Sequence, residues 1–96
     1  MDREPTPLQR AIEETLRDLR TGEVVSYGFV AEQAGYPGRA RAVGTFLTTH
    51  HDAPNWWRVV AASGELRAPR SDLQAEMLAA EGVAVVGRRV SRSQLR

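Results

Sequence analysis

Gly35-Tyr36-Pro37-Gly38 is the stretch that most limits what this chain can fold into. Gly35 is a helix stop, and Pro37 lacks the N–H that a helix interior needs, so Tyr36-Pro37-Gly38 reads as a turn. On its N-terminal side, Ser26 can cap a helix over 27–34, YGFVAEQA. On its C-terminal side, RARAVGTFLTT forms a helix over 39–49. Two short helices joined by a tight Gly-containing turn form a helix-turn-helix, with 39–49 as its recognition helix.

The rest of the chain fits around that unit. Residues 6–20 read as an amphipathic helix, with Thr6 as N-cap, Pro7 in the first turn, and Leu8, Ile12, Leu16 and Leu19 on one face. Thr21-Gly22 ends it, and Glu23–Val25 is at most a brief strand. WWRVVAA, 56–62, reads as a strand that turns at Ser63-Gly64 and returns as Glu65–Arg67, a hairpin wing. Ser71 and Gln74 have capping-box spacing for a helix running to Glu81, which Gly82 stops. Val83–Val86 is an apolar strand, and residues 86–96 read as a loosely ordered basic tail. The expected fold is α+β: a single small winged helix-turn-helix domain over 1–96, with a short β-hairpin wing.

Composition enters mainly by exclusion. The 96 residues contain no cysteine, which rules out disulfides, thiolate metal sites and thiol nucleophiles. No apolar run approaches the ~20 residues of a bilayer span, and the N-terminus lacks a secretory signal, so a cytoplasmic protein is expected, nucleoid-associated in a bacterium; a monomer is expected as well. All the basic residues are Arg. Residues 1–36 carry four Arg against seven acids, whereas 37–70 carry five against two. Guanidinium in the middle of the chain suits phosphate and base edges. His50-His51-Asp52 has no third well-placed partner and is not read as a metal site; no cofactor is expected.

Both tryptophans stand side by side, in Ala53-Pro54-Asn55-Trp56-Trp57-Arg58-Val59-Val60. On a strand they would point to opposite faces, so at most one joins a simple core.

VVSYGFVAEQAGYPGRARAVG, residues 24–44, resembles the DNA-binding helix-turn-helix of the O6-alkylguanine-DNA alkyltransferases, with Ser26-Tyr27-Gly28 and Ala40-Arg41-Ala42-Val43-Gly44 at the family's spacing. The similarity runs from about Leu8 to Gly82. Residues 54–60 resemble that family's active-site strand, Pro-Cys-His-Arg-Val-Val, with Trp56 at the alkyl-accepting cysteine and Trp57 at the histidine. Trp56 matches the alkyltransferase-like branch, which lacks transferase activity; Asn55 and Trp57 depart from it, and Thr48 replaces the family's usual Asn.

The resemblance implies duplex DNA containing O6-alkylguanine as partner, base flipping without catalysis, and hand-over to nucleotide excision repair proteins. It implies DNA contacts from Ser26, Tyr27, Arg39, Arg41, Ala42, Gly44 and Thr45, with Arg41 as the finger that fills the vacated stack. It implies a lesion pocket of Tyr27, Trp56, Arg67 and Arg70, of which either Arg serves near the base. The family's relay glutamate matches Glu81; without a thiol, Trp57 reads as a packing residue, Glu81 as solvated or capping, and Arg58 as a structural brace. The alternative is a winged-helix transcription regulator reading the major groove, against which the small residues of 39–49 argue, since they offer few hydrogen bonds to base edges. A hydrolase would have only His50 and His51 to work with.

Overall fold

The computed structural model describes residues 4–96. Thr6 opens helix α1 (Pro7–Arg17) with a complete capping box: its Oγ1 accepts from the Gln9 N–H at 3.1 Å, and Gln9 Oε1 accepts from the Thr6 N–H at 3.0 Å. Strand β1 (Val25–Ser26) leads directly into α2 (Tyr27–Gln33), whose first turn is capped by Ser26 Oγ accepting from Phe29 N–H at 3.0 Å. Gly35 and Gly38 both take positive φ, +92° and +84°, so the turn before α3 (Ala40–Thr49) needs its two glycines. The two helices pack through Val30 and Ala31 against Val43 and Phe46. The helix-turn-helix is therefore present at its expected position.

The segment read as strand 56–62 is different. Asn55 adopts left-handed backbone, φ +56°, and the Arg58 N–H bonds its carbonyl at 3.0 Å, so Trp56–Arg58 closes into a single 3-10 turn. Asparagine tolerates that conformation better than most residues. Its side-chain amide also donates to the carbonyls of Leu16 and Leu19, at 2.8 and 3.2 Å, tying the turn to the end of α1. Only β2 (Val59–Val60) is extended, and it pairs in parallel with β1, Val25 opposite Val59 and Ser26 opposite Val60.

The expected wing over 56–67 does not form. Residues 64–66 pair instead with the end of the chain: Leu66 N–H donates to Arg88 O at 3.0 Å, and Val90 N–H donates to Gly64 O at 2.9 Å. The antiparallel hairpin lies later, in β3 (Val85–Val86) and β4 (Arg89–Val90). Residues 86–96 are accordingly not a loose tail: Val90 is fully buried, Leu95 packs against the core, and Arg96 N–H reaches Val24 O at 3.0 Å. Basic composition hid two apolar side chains that finish a core.

Helix α4 (Ser71–Ala80) starts where expected, but without the capping box. Gln74 is fully buried and donates to the carbonyls of Trp57 and Val59, at 3.1 and 2.9 Å, fixing α4 onto the 3-10 turn. The core is in two parts, divided by the β1–β2 pair. Val25 and Val59 face Ile12, Leu16, Val43 and Phe46, while Val24 and Val60 face Leu66, Leu78, Val83 and Val90. Period-two alternation across two short parallel strands is enough to feed both.

Candidate nucleic-acid interface

Turn 56–58 delivers one tryptophan to each half. Trp56 packs on the first core and Trp57 on the second, their rings edge to face with centroids 6.2 Å apart. The divergence expected from a strand thus survives, although a 3-10 turn produces it.

Trp56 forms a wall of an open cleft of about 570 Å³ between α3 and the segment 67–70. Leu47, Val59, Ala68 and Pro69 make it apolar, and Arg41, Arg67 and Arg70 stand exposed around it. The Arg70 guanidinium lies 5.1 Å from the Trp56 ring centroid and donates to the His51 carbonyl at 3.0 Å. Tyr27 enters from the start of α2; burial raises its phenol pKa, opposed in part by the nearby Arg67 charge, so it presents a neutral O–H. Of the residues singled out from sequence, Tyr27, Arg41, Gly44, Thr45, Trp56, Arg67 and Arg70 converge here. Ser26, Arg39 and Ala42 do not line the cleft: Ser26 caps α2, Arg39 is exposed at the start of α3, and Ala42 is half-buried.

The small residues of α3 have a geometric meaning. A Cβ built on Gly44 would meet nothing within 4 Å, so internal packing does not demand glycine there. The free space lies outside the protein and suits close approach of a second surface. Thr48 bonds only the carbonyl of Gly44 in its own helix, at 3.0 Å. The loop after α3 is held instead by Asn55 from below and Arg70 from across the cleft.

Behind the cleft, Glu81 is neither solvated nor a simple cap. Its Oε2 accepts from the Trp57 indole N–H at 2.8 Å and from Arg58 Nη2 at 2.6 Å. Its Oε1 accepts from Arg58 Nε at 3.0 Å and from Gly22 N–H at 2.8 Å. Hydrogen bonding from Arg58 is the main reason its pKa falls from 4.5 to about 2, with Gly22 and Trp57 adding to it against the cost of burial. Arg58 itself is buried and donates to Leu19 O at 3.0 Å, the carbonyl brace expected of it. Spacing gave no sign that Trp57, Arg58 and Glu81 would share one carboxylate; the 23 residues from Arg58 to Glu81 are bridged only by folding. Leu47 and His51 were likewise missed, since nothing local marks a residue as lining a cleft. No cluster of three or more metal-ligating side chains occurs among the described residues.

A helix-turn-helix beside an apolar cleft edged with arginine defines a nucleic-acid-binding domain. Residues 7–83 match the family described as 6-O-methylguanine DNA methyltransferase, DNA binding domain, and the chain belongs to that family. A relative from Vibrio parahaemolyticus, named a DNA base-flipping protein, is 36% identical over 74 residues, 73% of this chain and 74% of that protein. A methylated-DNA–protein-cysteine methyltransferase from Shigella flexneri is 56% identical over 39 residues, 41% of this chain and only 23% of the enzyme. Among solved structures, S. pombe Atl1 in complex with damaged DNA containing O6-carboxymethylguanine superposes with a TM-score of 0.74 at 25% identity, over 82% of this chain and 79% of Atl1.

Proposed function

We propose that this protein recognises O6-alkylguanine in duplex DNA without repairing it. The observation that carries this reading is Trp56: an indole walls the cleft at the position that the sequence motif aligns with the alkyl-accepting cysteine, in a chain with no cysteine at all. Indole offers no lone pair for attack on an alkyl carbon, so transfer to the protein has no acceptor. A flat apolar wall can instead stack a flipped base and its alkyl group. In this reading Arg41, which lines the cleft from α3, enters the duplex and holds the vacated space, and Tyr27, also at the cleft, presses on the target phosphate. Flipping costs a few kcal/mol and stacking on an aromatic returns about 1–3 kcal/mol, so phosphate contacts from arginine supply the remainder, with the usual salt dependence. The base-flipping name of the Vibrio relative and the lesion in the Atl1 complex support this assignment. The bound, bent complex would then be passed to nucleotide excision repair.

The test is a titration of matched duplexes with and without O6-methylguanine, followed by mass analysis of protein and DNA. Tighter binding of the lesion duplex, an unmodified protein and a persistent lesion are expected. Equal affinities for the two duplexes would refute recognition, and a methyl adduct on the protein would refute the non-enzymatic reading.

A further inference from the structure

The segment Arg67-Ala68-Pro69-Arg70, which places two of the three cleft arginines, has no regular structure of its own. Both of its ends are held by one residue outside the family-matched region 7–83. The carbonyl of Arg88 accepts from Leu66 N–H at 3.0 Å, just before the segment. The guanidinium of the same Arg88 donates to Ser71 Oγ at 2.9 Å and to Asp72 Oδ1 at 2.6 Å, just after it. Arg88 therefore spans the four residues like a staple.

Its backbone makes the arrangement more pointed. Gly87 and Arg88 form the tight turn of the β3–β4 hairpin, with φ of +57° and +59°. Glycine adopts such angles freely, whereas an arginine there carries a steric cost. A turn selected only for folding would favour Gly or Asn at position 88. An arginine stands there against that local preference, and its side-chain partners lie at the end of the segment that bears Arg70.

We propose that Arg88 is a positioning residue for lesion discrimination: it fixes segment 67–70 so that Arg70 stays over Trp56 and Arg67 stays beside Tyr27. This rests on the lesion-recognition reading above. The exposed pair with Asp72 adds little to global stability, as surface ion pairs do, so its effect is local.

Two variants and two readouts test it. Arg88→Gly removes the side chain and relieves the positive φ, while the bond to Leu66 N–H remains; Asp72→Asn removes the charge of one partner. For Arg88→Gly, thermal melting at or above the wild-type temperature is expected, together with lower backbone NMR order parameters at Arg67, Ala68 and Arg70. The preference for O6-methylguanine duplex over undamaged duplex should fall about three- to tenfold, a fraction of one stacking platform. Asp72→Asn should move both readouts in the same direction by less. Unchanged order parameters at Arg67, Ala68 and Arg70 in Arg88→Gly would overturn the proposal, whatever the protein binds. Equal weakening on both duplexes with a shallower salt dependence would also overturn it, by making Arg88 a direct phosphate contact. A wild-type protein without lesion preference would sink the functional reading instead, and the order parameters would still decide the staple.

Discussion

Trp56 and Trp57 are neighbours in the chain and belong to opposite kinds of environment. Around Trp56 the protein is open: an apolar wall, a cleft of about 570 Å³, and three arginines whose charge faces outward. Around Trp57 it is closed: the indole N–H, the buried Arg58 guanidinium and the Gly22 amide all converge on the Glu81 carboxylate. One half leaves its polar groups for a partner, and the other satisfies them internally. Behind Trp56, which offers no thiol, the Glu81 carboxylate is already committed within the fold. A carboxylate that accepts four hydrogen bonds from within the fold is a fixed strut and has no role left as a proton carrier.

The largest expected effect breaks the closed side. Glu81→Ala leaves the Arg58 charge buried without its partner, with an expected loss of about 3–5 kcal/mol in denaturant melts. A loss below about 1 kcal/mol, as for a surface pair, would show that Arg58 finds water and that the network is dispensable. Trp56→Ala separates the halves by function. We predict a fold close to wild type in stability, with lesion preference reduced by about 1–3 kcal/mol in duplex titrations. If Trp56→Ala unfolds the domain and Trp57→Ala only lowers lesion preference, the roles of the two faces are reversed.

A smaller effect appears with pH. The Glu81 pKa is depressed from 4.5 to about 2 in the folded state, so its contribution is fully present above about 4.5 and is lost as pH falls toward 2. After allowance for solvent screening, the loss across that window should be about 1–2 kcal/mol, and Glu81→Gln should flatten this part of the profile. Equal acid sensitivity in wild type and Glu81→Gln would assign the loss to other carboxylates, such as Glu23, whose pKa is also lowered. The smallest expected effect is none: Trp56→Cys should gain no methyl group from O6-methylguanine duplex. A thiol at 56 also needs a base to take its proton, and Glu81 is already committed to Arg58 and Trp57. A methylated variant protein would overturn that account of the closed side.

Most of the open side was legible in the sequence. Seven of the ten residues that the family resemblance implied for DNA or lesion line the cleft, and the helix-turn-helix that carries most of them is set by local signals. Ser26 caps α2, Gly35 and Gly38 take left-handed φ, and apolar spacing orients α3. The closed side was almost illegible. Trp57 was read as packing and Glu81 as solvated or capping, and their hydrogen bond depends on where α4 ends relative to the 3-10 turn.

The sequence by itself determined the four helices and their order, since capping, turn chemistry and helical periodicity act within a few residues. Tertiary structure alone decided that residues 64–66 take 88–90 as their strand partner, keeping only turn bonds to Ala61, and that Val90 and Leu95 complete a core. It also decided that Glu81 is shared by Trp57, Arg58 and Gly22. Each of these is a choice among distant partners of similar local quality. Burial of the second core, not any local preference, makes that choice.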